Sequence, residues 1–187
     1  MLGEQAMAQS CPNGVMPRLV VVMGVSGSGK TVVAEGLRSQ LGWPFQEGDD
    51  LHPPHNIAKM SSGEPLTDED RLPWLEKCRE WLAERARDGR GGVLACSALK
   101  GVYRDILRQE GVDVTFLFLR VPRDELERRL KGRKRHFMPV TLLDSQLETL
   151  EAPSDKEHIL VLDAVDHPAD VIAKAIDLLC EDQESRR

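Results

Sequence analysis

The chain has 187 residues, a formal net charge of −6, 41% hydrophobic residues and 30% charged residues. That length allows one domain with a real core, the composition excludes a disordered chain, and the acidic balance argues against a protein whose main task is to coat nucleic acid. No stretch approaches the ~18 apolar residues of a membrane span, and Met1-Leu2-Gly3-Glu4-Gln5 lacks the basic stretch and apolar run of a secretory signal, so the protein is expected in the cytoplasm.

Residues 1–17, with Pro12-Asn13-Gly14 and Pro17, read as a flexible tail, and the fold is expected to start at Arg18. Leu19–Met23 is a continuous apolar run of strand length, the pattern of a strand buried on both faces. Gly24-Val25-Ser26-Gly27-Ser28-Gly29-Lys30-Thr31 follows and matches G-x-x-x-x-G-K-[ST] throughout. Glycines let such a backbone curl so that its N–H groups face phosphate oxygens, and the next helix adds the positive end of its dipole. Lys30 can reach the β- and γ-phosphates, and the Thr31 hydroxyl can ligate Mg2+. A plain Gly/Ser turn is the bland alternative. The preceding strand and the following stripe of Val33, Leu37 and Leu41 supply the context that nucleotide binding requires.

A weaker strand runs through Trp43 to Gln46 and leads into Gly48-Asp49-Asp50-Leu51-His52-Pro53-Pro54. A carboxylate at a strand's C-terminal end faces the crevice where α/β proteins bind ligands, so Asp49 can orient an attacking hydroxyl and take its proton. An Asp turn is the alternative. His52 and His55 are separated by two prolines that preclude a regular helix between them, and no Cys or third His accompanies them, which disfavours zinc. Thr67 and Asp70 resemble a capping box before a helix whose face carries Leu75, Cys78, Leu82 and Ala86. Asp88-Gly89-Arg90-Gly91 fits D-x-x-G by letters but precedes an apolar run and reads as a turn; there is no N-K-x-D to read guanine.

The run Val93–Cys96 ends in Ser97-Ala98-Leu99-Lys100, with Tyr103 and Arg104 on the helix that follows. Ser97 and Lys100 are expected at the same crevice, and Arg71, Lys100 and Arg104 are candidate partners for an acidic substrate; ordinary surface charge is the alternative for each. Val114–Leu119 and Ile159–Leu162 complete the strands. Between them, Arg128, Arg129, Lys131, Arg133, Lys134 and Arg135 form a basic run interrupted by Gly132. It reads as a nucleic-acid patch, a solvated helix end, or a mobile lid over ATP phosphates. The glycine break favours the lid. Leu143, Gln146, Leu147 and Leu150 form another helical stripe, and Ile172, Ala175, Ile176 and Leu179 close the chain. Cys11, Cys78, Cys96 and Cys180 have no framework spacing and read as reduced thiols. Strands alternating with helices give an α/β fold of three layers around a parallel sheet, as one domain over 18–180 with a tail over 181–187.

Several separated segments together resemble the gluconokinase family, relatives of shikimate and nucleoside monophosphate kinases. They are GVSGSGKT at 24–31, GDDLHP at 48–53, NIAKMSSGEPLTDEDRLPWL at 56–75, ACSALKGVYRDILR at 95–108 and HFMPVTLLDSQLETLE at 136–151. The resemblance implies phosphorylation of D-gluconate on its terminal hydroxyl, giving 6-phosphogluconate, with ATP and Mg2+. It also implies a five-stranded parallel sheet, a substrate region around residues 50–75, a lid near 125–140, and a homodimer. In that reading Val25 to Thr31 hold the triphosphate, with Lys30 on the phosphates and Thr31 beside the metal. Asp49 meets the hydroxyl; Arg71, Lys100 and Arg104 offer cations to the carboxylate; His52 and Ser97 meet hydroxyls. Arg129 falls where relatives place an Arg against adenine, and Arg133 where they place a lid cation. The strand ending at Ser97 lacks the following Asp that many P-loop enzymes use for Mg2+. Competing readings are a kinase for another small acceptor, shikimate-like or a nucleoside monophosphate, and a nucleotide-dependent RNA-binding module.

Overall fold

Four apolar runs and the weaker segment before Gly48 become five parallel strands, β1 (Leu19–Met23), β2 (Phe45–Glu47), β3 (Gly92–Ala95), β4 (Val114–Arg120) and β5 (Ile159–Asp163), in the order β2-β3-β1-β4-β5. The computed structural model describes residues 15–108, 112–132, 141–154 and 156–186. Among these, seven α-helices flank the sheet: α1 (Lys30–Leu41), α2 (Pro54–Ser61), α3 (Asp68–Asp88), α4 (Gly101–Leu107), α5 (Arg123–Lys131), α6 (Thr141–Thr149) and α7 (Pro168–Ser185). This is the expected three-layer α/β architecture.

The continuous hydrophobicity of β1 follows from its central place. Val20 and Val22 pack toward Val33, Leu37, Ala175 and Leu179 of α1 and α7. Leu19, Val21 and Met23 pack toward Trp74, Leu75, Cys78 and Leu82 of α3. Alternate side chains point to opposite faces, so a strand covered on both sides has no polar position. The stripe read on α1 is buried as expected, whereas Ala86 on α3 is exposed. The capping box at Thr67 is formed in both directions. Cys78, Cys96 and Cys180 are free thiols; Cys11 lies outside the described residues.

No regular helix joins His52 to His55, as expected: α2 starts only at Pro54, with Pro53 as its cap and Pro54 its first residue, where proline's fixed φ and missing N–H cost nothing. Two boundaries differ from expectation. The segment from residue 181, expected as a tail, is helical through Ser185, and Asp182 is 5% exposed. Asp182 lies one turn beyond Leu179 on the inward face. Arg18 Nη1 donates to its Oδ2 at 2.6 Å, and His158 Nε2 lies 2.7 Å from Oδ1, so the buried carboxylate is paired. Val15, inside the expected N-terminal tail, is also buried.

Gly48 positions the acidic loop. It opens a single 3-10 turn (Gly48–Leu51) directly after β2, and a Cβ there would stand 2.3 Å from the Ala95 carbonyl oxygen. Only glycine lets this turn lie against the end of β3, and that contact brings Asp49 to the strand ends.

Candidate functional site

The loop between β1 and α1 folds back on itself. Ser28 N–H donates to the Val25 carbonyl at 3.2 Å, Gly24 N–H to the Ser97 carbonyl at 3.3 Å, and Lys30 Nζ to the Val25 carbonyl at 3.1 Å. Gly24 has φ +141°, and a Cβ on it would meet Ser28 Oγ at 2.9 Å and the Leu119 carbonyl at 3.1 Å. Ser28 Oγ is buried without a protein partner. A cradle too tight for side chains, with an orphaned hydroxyl and the N-terminus of α1 at its floor, suits a polyphosphate. From Gly27–Gly29 a cavity of about 670 Å3 opens between Val32, Arg129, Val165 and Pro168. It has the size and apolar walls that a nucleoside needs.

Thr31 Oγ1 donates to Glu47 Oε2 at 2.6 Å. Burial pushes the Glu47 carboxyl above its ordinary value, and the Thr31 bond opposes that rise. The described residues contain no group of three or more His, Cys, Asp or Glu side chains fit to hold a metal. A hydroxyl and one carboxylate beside the cradle fit Mg2+, which takes few protein ligands and completes its shell with phosphates and water.

On the other side of Ser26 and Lys30 lies a narrower crevice, lined by Asp49, His52, Arg71, Trp74 and Ser97. His52 stacks on Trp74, with ring centroids 4.3 Å apart and planes 14° from parallel. Trp74 Nε1–H donates to the Gly48 carbonyl at 2.7 Å, which ties α3 to the acidic turn. Arg71 Nη1 reaches the Tyr103 hydroxyl at 3.4 Å and, among the described residues, has no carboxylate in an ion pair.

Two expected crevice cations are committed elsewhere. Lys100 Nζ sits 2.8 Å from both carboxylate oxygens of Asp68 and does not line the crevice. Arg104 is 1% exposed; its guanidinium bonds both oxygens of Glu157, at 2.6 and 2.9 Å, and the carbonyls of Ala98, Leu99 and Glu151. The expectation that Arg104 faces an acidic substrate is corrected: it braces the β3–α4 loop from behind. The Arg104 bonds hold the Glu157 carboxyl at about 2, below its ordinary value of 4.5. A carboxyl depressed in the folded state contributes stability above its ordinary value and loses that contribution as pH falls toward the folded one. Glu157→Gln is expected to lower stability by about 3 kcal/mol near neutral pH, because it strands a buried guanidinium. It should also remove part of the acid-induced loss, as urea unfolding at a series of pH values would measure. An unchanged profile would remove this brace from the account.

Arg129 lines the nucleoside-sized cavity, with its Nε on Glu125 Oε1 at 2.6 Å and its Nη2 on the Ala164 carbonyl at 2.7 Å. Arg133, and the lid expected beyond it as far as residue 140, lie outside the described residues. In the described part of the basic run, Arg128 pairs with Glu125, and Lys131 is 3.9 Å from Glu127. Sequence reading missed Glu47, Trp74 and Gln146 at the site. Gln146, read as part of a packing stripe, instead accepts the Ser26 N–H at Oε1, 2.7 Å away. Only its polarity within an apolar stripe could have signalled this.

Three comparisons bear on this geometry. The AAA domain family matches residues 19–153. A gluconokinase of Gluconobacter oxydans (strain 621H) is 52% identical over 163 residues, covering 87% of this chain and 92% of that protein. The thermoresistant gluconokinase of Escherichia coli (strain K12) is 44% identical over 163 residues, covering 86% and 93%. The crystal structure of a gluconokinase from Sinorhizobium meliloti 1021 superposes with a TM-score of 0.81 at 46% identity, covering 90% of this chain and 95% of that one.

Proposed function

This chain belongs to the gluconokinase family, and we propose how its two adjoining cavities carry out ATP-dependent phosphorylation of D-gluconate to 6-phosphogluconate. The observation that carries the reading is the placement of Lys30 and Asp49 in one crevice beside the phosphate cradle. Amides from Val25 to Thr31, with Lys30, hold the triphosphate of ATP, and the nucleoside lies in the cavity beside Arg129. Thr31, with Glu47 behind it, holds Mg2+. The ion, when bound, neutralises charge building on the phosphates.

Gluconate lies in the crevice with its carboxylate toward Arg71, the cation that no described carboxylate claims, while His52 and Ser97 meet its hydroxyls. Asp49 directs the terminal hydroxyl at the γ-phosphorus. The new O–P bond forms as the bond to the β–γ bridging oxygen breaks; ADP leaves and the hydroxyl proton passes to Asp49. Positioning and charge stabilisation dominate such a transfer, so this small set of groups is sufficient. Arg133 and its neighbours act as a lid that excludes water. We propose further that the protein works as a homodimer in the cytoplasm, as the family resemblance implies. No described helix is long and apolar enough to cross a membrane.

The test is coupled ADP release from ATP and Mg2+ with D-gluconate against other sugar acids, sugars, shikimate and nucleoside monophosphates. Turnover with gluconate and not with the others is expected. Turnover with a different acceptor alone would overturn the substrate assignment while leaving the transfer chemistry intact.

A further inference from the structure

Asn56, on α2, is fully buried, and no role in the proposed transfer has been given to it. Its Nδ2 donates to the Asp70 carbonyl at 2.8 Å and lies 3.2 Å from His52 Nδ1. A carbonyl oxygen only accepts, so the Asn56 atom facing Asp70 must be the amide nitrogen. That choice fixes the other contact. The second amide hydrogen points at His52 Nδ1, which must accept it and therefore carries no proton. The proton of a neutral imidazole then sits on Nε2. Stacking on Trp74 fixes the plane of the ring, and the Asn56 contact fixes its rotation within that plane.

We propose that Asn56 is a positioning residue that locks His52 as the neutral Nε2–H tautomer, making His52 a hydrogen-bond donor to a gluconate hydroxyl and never the base. The donor role rests on the reading that gluconate occupies the crevice; the tautomer does not. Protonating Nδ1 would set one N–H against another, so the same contact opposes the imidazolium. Burial acts in that direction too, and His52 is lowered to about 4; of the charged groups facing it, Asp49 favours protonation while Arg71 and His55 oppose it. Among the described residues lining the crevice, Asp49 is the one carboxylate. The device therefore separates two tasks: Asp49 accepts the proton, and His52 can only donate.

The test is ring-nitrogen NMR of the full-length enzyme, with the His52 signals assigned by comparison with His52→Gln. The expected result is an Nε2–H imidazole near neutral pH that titrates only as the pH falls toward about 4, and whose Nε2–H signal moves on adding gluconate. An Nδ1–H tautomer, or an imidazolium at neutral pH, would overturn the proposal. The expected tautomer with no response to gluconate would overturn the donor role. Gluconate that failed to stimulate ADP release in the coupled assay would instead overturn the substrate reading and leave the tautomer standing.

Asn56→Ala supplies a second arm. It should give a mixture of tautomers and raise KM for gluconate roughly 3- to 10-fold, the worth of one neutral hydrogen bond, with KM for ATP unchanged. A merely structural role for Asn56 predicts unchanged His52 spectra in the folded variant, or equal damage to both substrates.

Discussion

Lys30→Ala is expected to lose phosphoryl transfer by roughly a thousand-fold or more while remaining folded, because transfer depends on charge stabilisation of the moving phosphoryl group. The folded state asks little of Lys30. It opens α1, is only half-buried, and its Nζ donates to the Val25 carbonyl within its own loop. Alanine is a strong helix former at that position, so the melting temperature should change little. The Gly24 turn is set by its own backbone conformation, and Thr31 still has Glu47 to bond. Residual ATP binding with absent turnover is therefore the expected pattern in calorimetry and the coupled assay. Full activity in the folded variant would remove the lysine from the mechanism.

The second large effect is expected at Asp49. Asp49→Asn keeps shape and size but cannot accept a proton, and turnover with gluconate should fall by about a hundredfold or more, the usual worth of a positioned general base. KM for ATP should hold, because the phosphate cradle and nucleoside-sized cavity lie on the other side of Ser26 and Lys30. The local fold should hold as well. The Asp49 backbone N–H still reaches Glu47 Oε1 at 3.5 Å, and Gly48 still seats the turn against Ala95. A change confined to KM for gluconate would make Asp49 a binding group. Unchanged turnover would end its assigned role.

These two residues were also the most legible. Lys30 belongs to an eight-residue motif whose chemistry is local: glycines, a lysine and a hydroxyl on one turn of chain, between a strand and a helix. Asp49 follows a strand, and in a parallel sheet the strand ends face one crevice. The strands could be read for a similar reason, since a segment buried on both faces must be apolar along its whole length. Pro53 and Pro54 do keep a helix from joining His52 to His55, and the same residue type then starts α2. The expected C-terminal tail differs for another reason: a charge such as Asp182 looks exposed in sequence, and its burial is made tolerable by Arg186 one turn on and by the distant partners Arg18 and His158, 164 and 24 residues away.

The order of residues was enough to establish a phosphate-binding loop, a parallel α/β sheet and an acidic turn at a strand end, because each depends on neighbours within a few positions. Which of the candidate cations line the crevice was decided by the fold. Arg71, Lys100 and Arg104 are alike as letters, yet Glu157, 53 residues on from Arg104, takes one, and Asp68, 32 residues before Lys100, takes another. The same holds for Gln146, brought to Ser26 across 120 residues, and for the tautomer of His52, which depends on a carbonyl of α3 facing an amide of α2. Charge and hydrogen bonding act over a few ångströms, so what a polar side chain can do is decided by the groups that folding places beside it.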